Sequence, residues 1–223
     1  MWAEQAIFTS ILRQGRGGYH LIARSPGVGD EDAHAISRWS PSHGSLDLDA
    51  ENSAGVSFYA LPSGRFALAR SCEGPPEYSG RGGLQLYTHT LVLDEKAMNS
   101  VGWQPLAAYQ NAMAVGALIY DACPPISLRT VRIPELFVPL GPKDWEARGI
   151  TLKLPPLRPI RDRILAGRPI QVAHAGDRVD LATCLLGMLT PELRRKVSFA
   201  ASLQPSTVRP FLLSIVRPER QRP

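Results

Sequence analysis

The chain has 223 residues, 44% apolar and 20% charged, with a formal net charge of +5. That composition lets burial offset the entropy of ordering and excludes an intrinsically disordered chain. No run of about 18 apolar residues occurs, and the start, MWAEQAIFTSILRQGRGG, lacks a basic segment followed by a long apolar one, so neither a membrane span nor an export signal is expected and the expected location is the cytoplasm.

In chain order, Ala6 to Ser10 is short and β-prone, Gly15 to Gly18 breaks it, and Tyr19 to Ala23 reads as a second strand. Asp30 to Trp39 starts acidic and places Ala33, Ile36 and Trp39 at helical spacing, which predicts a short amphipathic helix. Val56 to Leu61 and Phe66 to Cys72 flank the turn formers Pro62-Ser63-Gly64-Arg65 and predict a β-hairpin. Leu86 to Leu93, LYTHTLVL, is a further strand, and Pro105 to Tyr120 reads as a buried helix.

From Cys123 to Pro159 eight prolines and little periodicity predict an irregular, extended connection. Beyond it come a helix over Ile160 to Ala166, a strand over Ile170 to His174 and an apolar helix over Leu181 to Leu189 with Asp180 as N-cap. Thr190-Pro191-Glu192 restarts a helical turn, and Val197 to Ala201 and Phe211 to Val216 read as closing strands. The expected fold is α+β, a mixed or antiparallel sheet with packed helices, followed by a smaller α/β subdomain. The expected division is 1–140, a proline-rich connection over 141–157, and 158–223.

The most distinctive stretch is Tyr78-Ser79-Gly80-Arg81-Gly82-Gly83, which precedes the strand carrying His89. Glycines allow close backbone approach, free amides can face an anion and Arg81 can complete such a site. A tight β-connection accounts for the same residues, and nucleotide-binding glycine loops lead into a helix where this one leads into a strand. His89 lies between Thr88 and Thr90 with no sequence-adjacent carboxylate to orient it, so it reads as a hydrogen-bonded core or interface histidine.

His20, His34, His43, His89 and His174 are scattered, and Cys72, Cys123 and Cys184 lack C-x-x-C spacing, so no metal, cofactor or disulfide framework is expected. Cys184, among leucines, reads as a buried thiol. Residues 1–148 hold 12 basic and 15 acidic side chains, residues 149–223 hold 13 and 5. Arg194, Arg195 and Lys196, with Arg158, Arg161, Arg163 and Arg168, are candidates for a basic surface, or for an ordinary solvated face. Without interleaved aromatics or a recognised motif, nucleic acid is not the expected partner.

Three segments together resemble the bacterial GTPase-associated adaptor family: QAIFTS…GRGGYHLIARSPGV (Gln5 to Val28), LPSGRFALARS…PEYSGRGGLQLYTHTLVL (Leu61 to Leu93) and PELRRKVSFAASLQPSTVRPFLLSIV (Pro191 to Val216). The first two are similar to its type two N-terminal domain, and the chain from about residue 155 resembles part of its middle domain. The resemblance implies a non-enzymatic adaptor in a bacterial conflict or signalling system, whose partner is a GTPase or another protein component. It also implies a longer protein, of which this chain is a minimal version or a piece. The rival is an enzyme for a phosphorylated or nucleotide substrate, with Arg81 as anion clamp and His89 as acid or base.

Overall fold

The computed structural model describes residues 1–13, 16–77 and 83–218. β1 (Trp2–Arg13) and β2 (Arg16–Arg24) form the expected antiparallel opening. Both outrun the expected spans, because the pairing continues through Ile11↔Gly18 and Leu12↔Gly17, so Gly17 and Gly18 belong to β2 and not to a break. α1 (Asp30–Trp39) coincides with the predicted helix, its three first-turn acidic residues facing the positive end of the helix dipole. β3 (Gly55–Ala60) and β4 (Phe66–Pro76) are the predicted hairpin, closed by Leu61 N–H donating to Arg65 O at 2.8 Å. Asp32 of α1 braces the turn, accepting from Ser63 Oγ at 2.7 Å and Arg65 Nη2 at 2.7 Å.

β5 (Leu84–Leu93) is followed by α2 (Glu95–Ser100), which has no counterpart in the sequence reading; Asp94 caps it by accepting from Ala97 N–H at 2.7 Å. α3 (Pro105–Ala114) stops well before Tyr120. Gly116, at φ +72°, ends it in a Schellman turn, with Ala117 N–H on Ala112 O at 2.8 Å and Gly116 N–H on Met113 O at 3.0 Å.

The stretch expected to be irregular contains β6 (Val131–Arg132), paired with the start of β1, and α4 (Pro142–Thr151). Pro142 opens α4, in the first turn, where a missing N–H breaks no helical bond, so this proline marks a helix start. α5 (Leu157–Leu165) and β7 (Ile170–Ala173) follow. α6 (Arg178–Gly187) begins before the predicted Leu181, and its cap is Asp177, which accepts from Val179 N–H at 2.7 Å and Asp180 N–H at 2.9 Å; Asp180 lies inside the first turn. α7 (Pro191–Arg194), β8 (Phe199–Ala201) and β9 (Leu213–Val216) complete the described elements.

The strands form one mixed sheet in the order β2-β1-β5-β4-β3-β8-β9-β7, with β6 beside the start of β1. β7 and β8 both run parallel to β9, and the other pairings are antiparallel. Val56↔Ala201 and Phe58↔Phe199 join the early strands to the late ones, so residues before 141 and after 157 share this sheet. One face lays Phe58, Phe66, Leu68, Leu91 and Leu93 into a core with Met98, Leu106 and the buried α6; the other packs Tyr59, Ala67 and Val92 on Ile36 of α1. The chain is α+β, and no helix among the described residues is long and apolar enough to cross a membrane.

Arg178, at the start of α6, is fully buried. Its guanidinium pairs with Asp49 and donates to Asp47 O at 2.6 Å, Ser202 Oγ at 2.8 Å and His174 O at 3.2 Å. Burial alone raises the Asp49 pKa, but hydrogen bonds from Asn52 and the charge of Arg178 outweigh it and hold the carboxyl below its ordinary value. Arg178→Met leaves these acceptors unpaired and is expected to cost about 3–5 kcal/mol of unfolding free energy. Urea denaturation with an unchanged m-value checks this; a loss under about 1 kcal/mol, typical of an exposed pair, would refute it.

Candidate functional site

The alternation of β5 sends Tyr87, His89 and Leu91 to one face and Thr88 and Thr90 to the other. Across the sheet, His89 stands between Ile7 of β1 and Arg70 of β4, and Tyr87 between Thr9 and Cys72. Leu91 and Leu68 pair in the adjoining row and are fully buried, so this face changes from apolar core to polar side chains within one strand repeat. Because α3 ends at Ala114, the chain that follows it passes over the polar end. The result is an open cleft of about 600 Å³, floored by Gln5, Tyr87 and His89 and walled by Val115, Ile119 and Tyr120. Val115 and Ile119 are 48% and 54% exposed, an apolar rim on a polar floor.

His89 Nε2 lies 2.9 Å from Gln5 Oε1. The amide of Gln5 is oriented by its own donation to Arg129 O at 2.6 Å, so Oε1 faces the histidine and the ring proton sits on Nε2. Nδ1 is buried with no hydrogen-bond partner among the described residues, as are Tyr87 Oη and Arg70 Nε. Burial lowers the His89 pKa to about 4; the Ile119 backbone and the Asp121 carboxylate oppose that shift, and the Arg70 charge adds to it. Burial likewise pushes the Tyr87 phenol up to about 12. At neutral pH the floor is therefore an uncharged imidazole and an uncharged phenol, edge-to-face at 6.4 Å, beside the Arg70 cation. A general base needs a pKa nearer 7 and an orienting carboxylate, where His89 has an amide.

Tyr78, Ser79, Gly80, Arg81 and Gly82 lie outside the described residues. The described residues on either side meet where Glu77 N–H donates to Gly83 O at 3.1 Å. Gly83 has φ +100°, and a Cβ there would overlap the His43 ring, so both backbone and space require glycine. Gly83 and His89 are six residues apart along the chain, roughly 20 Å at the strand rise.

Of the proposed basic surface, Arg194 is buried and donates to Leu186 O at 2.8 Å, Gly102 O at 2.8 Å and Gly187 O at 2.9 Å, so it braces helix ends. Arg195 forks onto Glu95 and covers the Trp103 ring at 5.1 Å; Lys196 is exposed. Arg158 pairs with Glu146 and Arg161 with Asp162, while Arg163 and Arg168 are exposed. Cys184 is buried and its thiol is pushed up to about 11 by burial. Gln5, Arg70 and Tyr87 were not singled out in the sequence: Tyr87 shares a face of β5 with His89 through strand alternation, while Gln5 and Arg70 lie on β1 and β4 and only the register brings them there.

The sequence profile described as GTPase-associated protein 1, N-terminal domain type 2, matches residues 2–128, a span that holds the whole cleft floor. No curated protein and no solved structure matches the chain.

His89 yields a prediction with a fixed sign. Its pKa falls from an ordinary 6.5 to about 4 on folding, so the unfolded chain takes up the proton first. Its contribution is complete above the unfolded pKa and is lost as pH falls through this window, by up to about 3 kcal/mol at the acid end. His89→Gln should remove that slope, seen as a wild-type minus variant stability difference that changes between pH 6.5 and 4 and is flat above. Equal slopes in urea denaturation across the window would refute the assignment.

Proposed function

This chain belongs to the GTPase-associated protein 1 family through its type 2 N-terminal domain, and from that membership we propose that it is a non-enzymatic adaptor in a bacterial GTPase-centred conflict or signalling system. Its partner in this reading is a GTPase or another protein component of the same system. The observation that carries it is the cleft over β1 and β5: exposed Val115, Ile119 and Tyr120 form an apolar rim around a polar, uncharged floor of Gln5, Tyr87 and His89. Apolar rims with a few buried polar groups suit a protein side chain that brings both apolar area and a hydrogen-bonding head. The enzyme reading is less well supported, because His89 is a weak base held by an amide. The Tyr78–Gly83 loop, with Arg81, enters the proposal as a second contact on sequence grounds alone.

An affinity capture from the native host with wild type, Ile119→Asp and Arg81→Ala tests this. Circular dichroism and melting temperature first establish that all three fold; Ile119 is over half exposed, so the aspartate costs little in the free protein. A GTPase recovered with wild type, and reduced at least about tenfold by Ile119→Asp, is the expected result. Equal recovery by Ile119→Asp moves the contact off the cleft, and equal recovery by Arg81→Ala removes the loop from it. Absence of a GTPase from the wild-type capture sinks the adaptor reading.

A further inference from the structure

A second cavity, of about 390 Å³, lies at the other end of the sheet, where the chain between β8 and β9 folds against β7 and β9; Gln171, Ser206, Thr207, Arg209, Phe211 and Ser214 line it. Arg209 is 8% exposed. The two other buried arginines have full sets of partners: Arg178 has Asp49, two carbonyls and a hydroxyl, and Arg194 has three carbonyls. Arg209 is the exception, since among the described residues its side chain has no carboxylate partner and makes no hydrogen bond. Burial lowers its pKa with no neighbouring charge acting against it. Its nitrogens reach the cavity, so an anion entering there meets a cation that no protein group among the described residues pairs.

The rest of the lining says which anion. Ser206 Oγ accepts from Val208 N–H at 3.3 Å, which leaves its hydroxyl proton to donate. The hydroxyls of Thr207 and Ser214 have no partner among the described residues. A planar fork and three hydroxyl donors around one space suit an oxyanion with three terminal oxygens better than a two-oxygen carboxylate. Phe211 and the prolines at 169, 205 and 210 give an apolar wall for the remainder of the molecule.

We propose that this cavity binds the phosphoryl group of a small phosphorylated ligand, with Arg209 as the charge partner and Ser206, Thr207 and Ser214 as hydroxyl donors. The site is separate from the His89 cleft and stands or falls independently of the adaptor reading.

Thermal unfolding of the full chain, titrated with inorganic phosphate against chloride at constant pH and ionic strength, tests it. The wild-type melting temperature should rise with the logarithm of phosphate concentration above the dissociation constant, by roughly 3–5 °C at ten times that constant. Arg209→Met should melt no lower than wild type without phosphate, because it removes an unpaired buried charge, and should lose the response. If Arg209→Met does not fold, Thr207→Val, at an exposed position, carries the test: a diminished shift supports the site and an unchanged one overturns it. Arg81→Ala should keep the full response; its loss there would place the anion on the glycine loop instead. A wild type unmoved by phosphate, an undiminished rise in Arg209→Met, or an equal rise with acetate each overturns the proposal.

Discussion

A charge with no access to water sets the terms for the rest of this fold. Arg178 is tied to Asp49, Asp47, Ser202 and His174, so it holds together the chain before β3, the end of β8, the end of β7 and the start of α6. A buried ion pair adds little net stability over an apolar pair of the same volume, but losing one partner alone costs a great deal, so Arg178 tolerates one arrangement of these segments and penalises others. That arrangement includes the β3–β8 seam, through which strands beyond the matched residues 2–128 extend the sheet. The same loop is fastened again from the far end of the chain, where Arg217 N–H donates to Asp47 Oδ2 at 2.6 Å.

With the seam fixed, the face of β1, β5 and β4 acquires a direction. At one end Leu91, Leu68 and Phe58 merge with the helices; at the other His89, Tyr87 and Arg70 carry polar atoms without matching partners. Stopping α3 at Gly116 keeps that polar end from being roofed by a helix and leaves a wall of loop residues with exposed apolar side chains. In the proposed reading, this polar end under an open, apolar-rimmed cleft is where a partner docks. The neutral imidazole fits hydrogen bonding, and its low pKa fits proton transfer at neutral pH poorly.

The basic bias of the C-terminal third has a different meaning in three dimensions from its meaning as a count. Arg178 and Arg194 are consumed inside the protein, Arg158, Arg161 and Arg195 are paired at its surface, and Arg209 faces a cavity. Much of the charge that would attract a nucleic-acid backbone is thus neutralised or hidden, which leaves fewer free cations for a counterion-release mechanism.

Local patterns determined a good part of this structure from sequence alone. The acidic start and spacing of α1, the turn formers of the β3–β4 hairpin and the alternation of β5 are short-range effects, and they fold as those patterns dictate. The family was legible as a resemblance, in the segments Gln5 to Val28 and Leu61 to Leu93 that fall within the matched residues 2–128. Other features were decided by tertiary structure. α4 forms in a proline-rich stretch because Trp145 packs on Gly187, where a Cβ would overlap the indole. Arg194 reads as surface charge until the Leu186 and Gly187 carbonyls at the end of α6 and the distant Gly102 carbonyl surround it. The partners of His89 are invisible in the sequence because a strand specifies which side chains share a face but not which strands lie beside it. Pairing and burial depend on contacts between residues far apart in the chain, and no local window contains them.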